Sequence, residues 1–269
     1  MRKAGLAVLI ASLALVLVLS GCGKKNEDSG SGSDKVYRIA SDATYPPMEN
    51  MDKDEIVGFD IDFLKAVMDE AGLKYEVKNV GWDALLESVK QGTEYDAGIS
   101  AITITEERKQ SYDFSVPYFE STNMIMVKEG SDIKSAKDLQ GKKIALQSGT
   151  TADELMTDIL GKDSKGIKRF ESNALAFMEM DSGGADAVVA DIAVIQEYLK
   201  NNADKKYTGI LDRDSFTSEY YGIAFPKGSE LAEKLNPAIK KVLESDKYKE
   251  IYGKWIGGDP DMTALLEQK

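Results

Sequence analysis

Leu146-Gln147-Ser148-Gly149-Thr150-Thr151-Ala152-Asp153-Glu154 runs from an apolar strand end, through a glycine turn, into the start of a helix. Thr151 and Glu154 stand at capping-box spacing, so a helix is predicted over 151–160. A strand that feeds at once into a helix is the working unit of an α/β fold. Outward from this stretch the same plan repeats. Strands are predicted at 36–40, 74–80, 97–101, 122–127, 143–146, 168–170, 187–190 and 221–225. Helices are predicted at 59–71, 83–90, 174–181, 192–200, 229–244 and 246–254. Phe59, Phe63, Ala66 and Val67 share one helical face, and Gly72 and Gly92 suit helix ends. Tyr95-Asp96-Ala97-Gly98 and Ala185-Asp186-Ala187-Val188 both enter a buried strand through Asp-Ala, an echo that suggests two α/β units of similar plan.

The N-terminus has a different order. Met1-Arg2-Lys3 precedes an uncharged apolar run at 4–19, then Leu19-Ser20-Gly21-Cys22. This is the pattern of a secretory signal, and the run is shorter than the roughly 20 residues a bilayer span needs. The tetrapeptide resembles the lipobox of bacterial lipoproteins. Residues 1–21 are then a signal peptide, and Cys22 carries lipid (a palmitate-type anchor) as the new N-terminus. An uncleaved anchor with an incidental cysteine is the alternative, and either way the domain faces outward and is tethered. Stable anchoring needs more than one chain. Residues 22–34, polar and Gly/Ser-rich, read as a flexible linker.

Composition narrows the function. The chain has 269 residues and a net charge of −12, and loss of Arg2 and Lys3 makes it more acidic. Nucleic acid and broad contact with anionic membranes are disfavoured. The single cysteine leaves no disulfide, and there is no histidine. That removes the usual general base and the commonest metal ligand, so no metal or cofactor is expected.

Four local signals could bind a ligand. The start of the 151–160 helix offers free backbone N–H groups to a carboxylate or phosphate, although the same residues suit a capped helix with nothing bound. No Gly-Lys-Ser/Thr follows, which excludes a P-loop. Ser100-Ala101-Ile102-Thr103-Ile104-Thr105-Glu106-Glu107-Arg108 ends a buried strand and begins an acidic helix start. There Arg108 can fork onto a carboxylate or pair at the surface with Glu106 or Glu107. Asp191, after Val188-Val189-Ala190, can meet an ammonium or cap the next helix. Tyr45 and Trp82 can flank a side chain or belong to the core. Together they place a cation, an anion site, an acid and two aromatics beyond strand ends, where α/β proteins bind ligands. This is chemistry suited to an α-amino acid.

These residues bring the chain close to a known family. Over 35–257 it resembles the family 3 extracellular solute-binding proteins of polar amino acid ABC transporters. The resemblance rests on Gly58-Phe59-Asp60-Ile61-Asp62, Ile102 to Arg108, Asp113-Phe114-Ser115-Val116-Pro117-Tyr118, Ser148-Gly149-Thr150-Thr151, Ala185-Asp186-Ala187, Tyr221-Gly222-Ile223-Ala224 and Tyr248 to Trp255. It implies a periplasmic-binding-protein-like fold (type II), two α/β lobes joined by two hinge strands near Tyr118–Thr122 and Glu219–Gly222. Lobe 1 would be discontinuous, 35–118 plus 223–269, with lobe 2 at 119–222. Arg108 and backbone amides near Thr103, Thr150 and Thr151 would hold the ligand carboxylate, and Asp191 with Ser100 the ammonium. Tyr45 and Trp82 would flank the side chain, Asp42 and Gln147 would meet its polar end, and Ala101 belongs to the same ligand-binding set. The implied partners are the membrane subunits of an ABC permease, with the protein a monomer on the outer face of a Gram-positive membrane. Two other functions share this architecture. One is a ligand-sensing accessory to a receptor. The other is a carboxylate-processing enzyme such as a cyclohexadienyl dehydratase, for which Asp42 is the only candidate acid.

Overall fold

The computed structural model describes residues 35–267. The expected signal peptide (1–21), the lipidation site expected at Cys22 and the linker expected over 22–34 lie outside the described residues. In chain order the elements are β1 (Val36–Ser41), β2 (Thr44–Tyr45), β3 (Glu49–Asp52), β4 (Glu55–Val57), α1 (Phe59–Ala71), β5 (Lys74–Asn79), α2 (Trp82–Gln91), β6 (Ala97–Gly98), β7 (Tyr112–Phe114), β8 (Phe119–Ser121), β9 (Asn123–Lys128), β10 (Ile144–Gln147), α3 (Thr151–Leu160), β11 (Ile167–Phe170), α4 (Asn173–Asp181), β12 (Ala187–Asp191), α5 (Ile192–Asn201), β13 (Tyr207–Ile210), β14 (Glu219–Tyr221), β15 (Ala224–Pro226), α6 (Leu231–Leu243), α7 (Asp246–Trp255) and α8 (Met262–Glu267).

Two five-stranded sheets carry the fold, ordered β5-β1-β6-β15-β7 and β11-β10-β12-β9-β13. Each begins with three parallel strands and ends with two antiparallel joins. The Asp-Ala echo has a structural cause. Asp96 accepts a hydrogen bond from Arg38 N at 2.8 Å, and Asp186 accepts one from Lys143 N at 2.8 Å. One carboxylate satisfies an amide inside β1 and the other the amide just before β10, each on the strand beside the one it precedes.

Between the sheets the chain crosses along β8 and β14, which pair antiparallel from Glu219↔Ser121 to Tyr221↔Phe119. Apolar burial anchors this ribbon. Phe119 stacks on Tyr221 at 5.3 Å and meets Phe59 edge-on at 5.0 Å, while Tyr118 stacks on Phe63 at 4.7 Å. Such pairs add roughly 0.5–1.5 kcal/mol each beyond their area. The face of α1 predicted to be apolar supplies Phe59 and Phe63 to this cluster, and Gly72 (φ 67°) closes the helix in the left-handed region.

Several expectations need correction. The 97–101 strand stops at Gly98, because buried Asp60 captures Ala101 N at 2.7 Å and turns Ala101 to φ 47°. The 221–225 strand is two strands. The chain leaves the ribbon after Tyr221 and joins the first sheet at Ala224, passing Gly222, where a Cβ would lie 2.8 Å from Ile104. The acidic helix start before Arg108 is only a 3-10 turn, Arg108–Gln110. The cap of α3 is Thr150, not Thr151. The small sheet β2-β3-β4, the strands β7 and β13, and α8 were not foreseen.

Candidate functional site

All eleven residues expected at the ligand site line one cleft: Asp42, Tyr45, Trp82, Ser100, Ala101, Thr103, Arg108, Gln147, Thr150, Thr151 and Asp191. The space between these walls, with the solvent at its mouth, is about 320 Å³. The walls come from both sheets. Ser41 ends β1 and leads to Asp42, Gly98 ends β6 and leads to Ser100, Gln147 ends β10, and Asp191 ends β12.

One end of the cleft is built for an anion. Arg108 is buried, and its guanidinium donates to Thr103 O at 3.0 Å and Gly149 O at 3.2 Å. It lies 5.4 Å from the Trp82 ring. Trp82 Nε1 also donates to Gly149 O, at 3.2 Å. Arg108 carries five N–H donors, and the two carbonyls leave others for an incoming carboxylate. The pairing with Glu106 or Glu107 is not formed, since Glu106 is bridged to Lys109 at 2.7 Å. Opposite stands the first turn of α3. Thr150 Oγ1 accepts from Asp153 N, while Asp153 accepts from Gly149 N at 3.1 Å, so the cap sits one residue earlier than the sequence spacing suggested and the reciprocal bond falls on the residue before it. That shift releases the Thr151 side chain. Gly149, at φ 68°, turns its carbonyl to Trp82 and Arg108, a backbone state that favours glycine.

The other end is acidic. Asp191 occupies the N-cap position of α5 but makes no side-chain cap. Its carboxylate instead accepts from the hydroxyls of Tyr221 and Tyr45. Burial pushes its pKa up to about 6, against the pull of those hydroxyls and of Arg108. Asp42 is raised too, by burial, with Thr44 and Gln147 opposing. Gln147 Nε2 donates to Asp42 at 3.3 Å and to Glu171 O at 3.2 Å, and its Oε1 accepts from Asn173 at 2.9 Å. Both ends of the Gln147 amide are therefore already engaged.

One residue at this site escaped the sequence reading. Glu219, on β14, accepts from Asn123 Nδ2 (2.8 Å), Thr151 Oγ1 (2.9 Å) and Thr103 Oγ1 (3.1 Å). Burial and the nearby Asp191 push it up to about 7. It ties the two threonines on opposite walls to the crossing ribbon. Only its place in the second crossing, Glu219–Gly222, could have drawn attention to it. Among the described residues, no group of three or more His, Cys, Asp or Glu is placed to hold a metal ion.

Two α/β lobes around a buried cleft, with a cation at one end and a carboxylate at the other, define a ligand-capture protein rather than a scaffold. The chain belongs to the bacterial extracellular solute-binding proteins, family 3, whose family model matches residues 37–258. It is 40% identical to the probable histidine-binding protein of Neisseria gonorrhoeae over 95% of this chain and 97% of that one. It is 32% identical to the arginine-binding extracellular protein ArtP of Bacillus subtilis over 94% of this chain and 98% of that one. Among solved structures, it resembles the arginine-, lysine-, histidine-binding protein ArtJ of Geobacillus stearothermophilus, with a TM-score of 0.84 and 52% identity over 87% of this chain and 100% of that one. The fold is the two-lobe periplasmic-binding-protein fold, and the chain is a binding protein, not an enzyme.

Proposed function

We propose that the protein captures a cationic L-amino acid between its lobes and delivers it to the membrane subunits of an ABC importer. The division into lobes falls at 118/119 and 222/223. The observation that carries the reading is the pairing, across one small cleft, of buried Arg108 with buried Asp191. A zwitterion offers a carboxylate to one and an ammonium to the other at once. Arg108 and the amides of Thr103, Thr150 and Thr151 receive the carboxylate. Asp191 and Ser100 receive the ammonium. Tyr45 and Trp82 flank the side chain, and Ala101 forms part of the floor.

The side-chain preference follows from Gln147. Its amide is committed to Asp42, Glu171 and Asn173, which leaves Asp42 as the group at the far end. An ionised carboxylate there pairs more strongly with a guanidinium, ammonium or imidazolium than with a neutral amide. The relatives named for arginine, lysine and histidine support the same choice. Anchoring through lipid on Cys22, with 22–34 as tether, keeps the protein on the outer face beside its permease. That arrangement suits a Gram-positive cell, where no outer membrane retains a free binder.

A thermal-shift screen against the twenty amino acids tests this. Arginine, lysine or histidine should raise the midpoint most. Stabilisation by glutamine alone would overturn the cationic preference, and stabilisation by none would overturn amino acid capture.

A further inference from the structure

Two acids beneath the cleft have no part in the function so far. Glu49 on β3 and Asp60 in the first turn of α1, the acid of the Gly58-Phe59-Asp60 motif, are both 0% exposed. Each has one oxygen supplied with donors. Glu49 Oε1 accepts from Ser100 Oγ at 2.8 Å. Asp60 Oδ2 accepts from Ala101 N at 2.7 Å and from the Tyr118 hydroxyl at 2.9 Å. The remaining oxygens, Glu49 Oε2 and Asp60 Oδ1, are buried without a hydrogen-bond partner. The two acids are neighbours: Asp60 N donates to Met48 O at 2.9 Å, and the two carboxyls are held by the consecutive residues Ser100 and Ala101. Two carboxylates buried side by side repel and have no donor between them, so a proton on one of them is what relieves the repulsion and supplies the missing donor.

The proton belongs on Glu49. Asp60 collects two external donors, which favour its ionised form, and Glu49 collects one. The other titratable groups facing the pair are Asp42, Tyr45 and Tyr118, with Tyr248 behind Tyr118. All are acids, and burial together with Asp60 holds Glu49 well above its ordinary range.

The pair reaches the ligand through Ser100 and Ala101, both of which line the cleft. A serine hydroxyl has one donor and two acceptor sites. The Ser100 donor is spent on Glu49, and one acceptor site takes Asp42 N–H at 3.1 Å. What remains is an acceptor, which fits an ammonium and rejects a carboxylate. Ala101, a non-glycine residue at φ 47°, is held in that state by Asp60.

We propose that Glu49 and Asp60 are positioning residues for the ligand ammonium: they share one proton, and the neutral-acid–carboxylate pair locks Ser100 Oγ as an acceptor and Ala101 in its left-handed turn. The role toward the ligand rests on the amino acid reading above, whereas the shared proton does not.

The experiment has two arms. Infrared difference spectra of ligand-free wild type and Glu49→Gln at pH 7 should show a protonated-carboxyl band in the wild type that the variant lacks. Absence of that band overturns the proposal whatever the protein binds. In calorimetry with L-arginine, Glu49→Gln should stay within about threefold of wild type, because the amide keeps the acceptor toward Ser100 and gives an N–H to Asp60. Glu49→Leu and Ser100→Ala should each lose about tenfold, and the double variant should lose no more than the worse single one. Additive losses, or a Glu49→Gln loss equal to that of Glu49→Leu, would refute the link through Ser100. If Glu49→Leu does not fold, the Glu49→Gln affinity and the infrared band still decide. If wild type binds neither arginine nor any other amino acid, the functional reading falls while the infrared arm still judges the pair.

Discussion

Replacing Arg108 with alanine tests the anion end of the cleft most directly. The side chain is 8% exposed and links the two walls, with Thr103 O at 3.0 Å on one and Gly149 O at 3.2 Å on the other. Truncation removes both hydrogen bonds, the contact with Trp82 and the charge partner of the ligand carboxylate. An unpaired buried charge costs about 3–5 kcal/mol. At 1.4 kcal/mol per tenfold, that weakens the Kd by roughly a hundredfold to several thousandfold. Arg108→Lys keeps the charge but loses the planar fork, and its affinity should fall between the two. Isothermal calorimetry with L-arginine, L-histidine and L-lysine measures the effect, with circular dichroism to verify that the fold is intact. A folded Arg108→Ala variant whose Kd stays within tenfold of wild type would remove Arg108 from the site.

Other consequences can be measured separately. Asp191 is raised from 3.8 to about 6 in the ligand-free protein, so the folded state holds its proton over a range where the unfolded chain has lost it. Its ionisation therefore costs stability as pH rises from about 4 through 6, while only the ionised form pairs with an ammonium. Asp191→Asn should raise the ligand-free unfolding midpoint and abolish binding, and wild-type affinity should weaken as pH falls below about 6. An affinity unchanged from pH 7 to 5 would contradict this. Glu219→Gln sets an amide against three donors, those of Asn123, Thr103 and Thr151. It should weaken arginine binding by about tenfold or more; an unchanged Kd would make Glu219 a bystander. Gly58→Ala would set a Cβ 2.0 Å from Met48 O at φ 148°. A cost above about 3 kcal/mol is expected, read by calorimetry as a midpoint lowered by roughly 6–12 °C; a shift within 2 °C would contradict the packing.

The α/β alternation was legible because helical and strand periodicities are strong where one face is apolar. Phe59–Ala71 and Thr151–Leu160 match their predicted spans for that reason. Strands set by tertiary pairing were not legible. Tyr112–Phe114 and Tyr207–Ile210 are short, mixed in polarity and defined by the neighbours they join. The eleven cleft residues came mainly from the resemblance, since no local pattern distinguishes Asp42 or Gln147 from other polar residues. Local chemistry placed the cap at Thr151, and the structure moved it to Thr150 because Asp153 closes on Gly149. Glu49 and Glu219 were hidden by number. In a chain with 46 acidic residues, the ones that matter are marked by burial, which a sequence does not display.

The absence of histidine carries a further consequence. In most proteins, imidazoles scattered over the surface dominate proton exchange near neutrality. This chain has none. Among the described residues, the carboxyls pushed toward that range include Asp191 and Asp60, at about 6, and Glu219, at about 7, all in the cleft or beside it. Running the same titration in buffers of different ionisation heat would then count protons released or taken up by the binding machinery itself. With no imidazole to mask them, the carboxyls of the binding machinery should weigh heavily in that count.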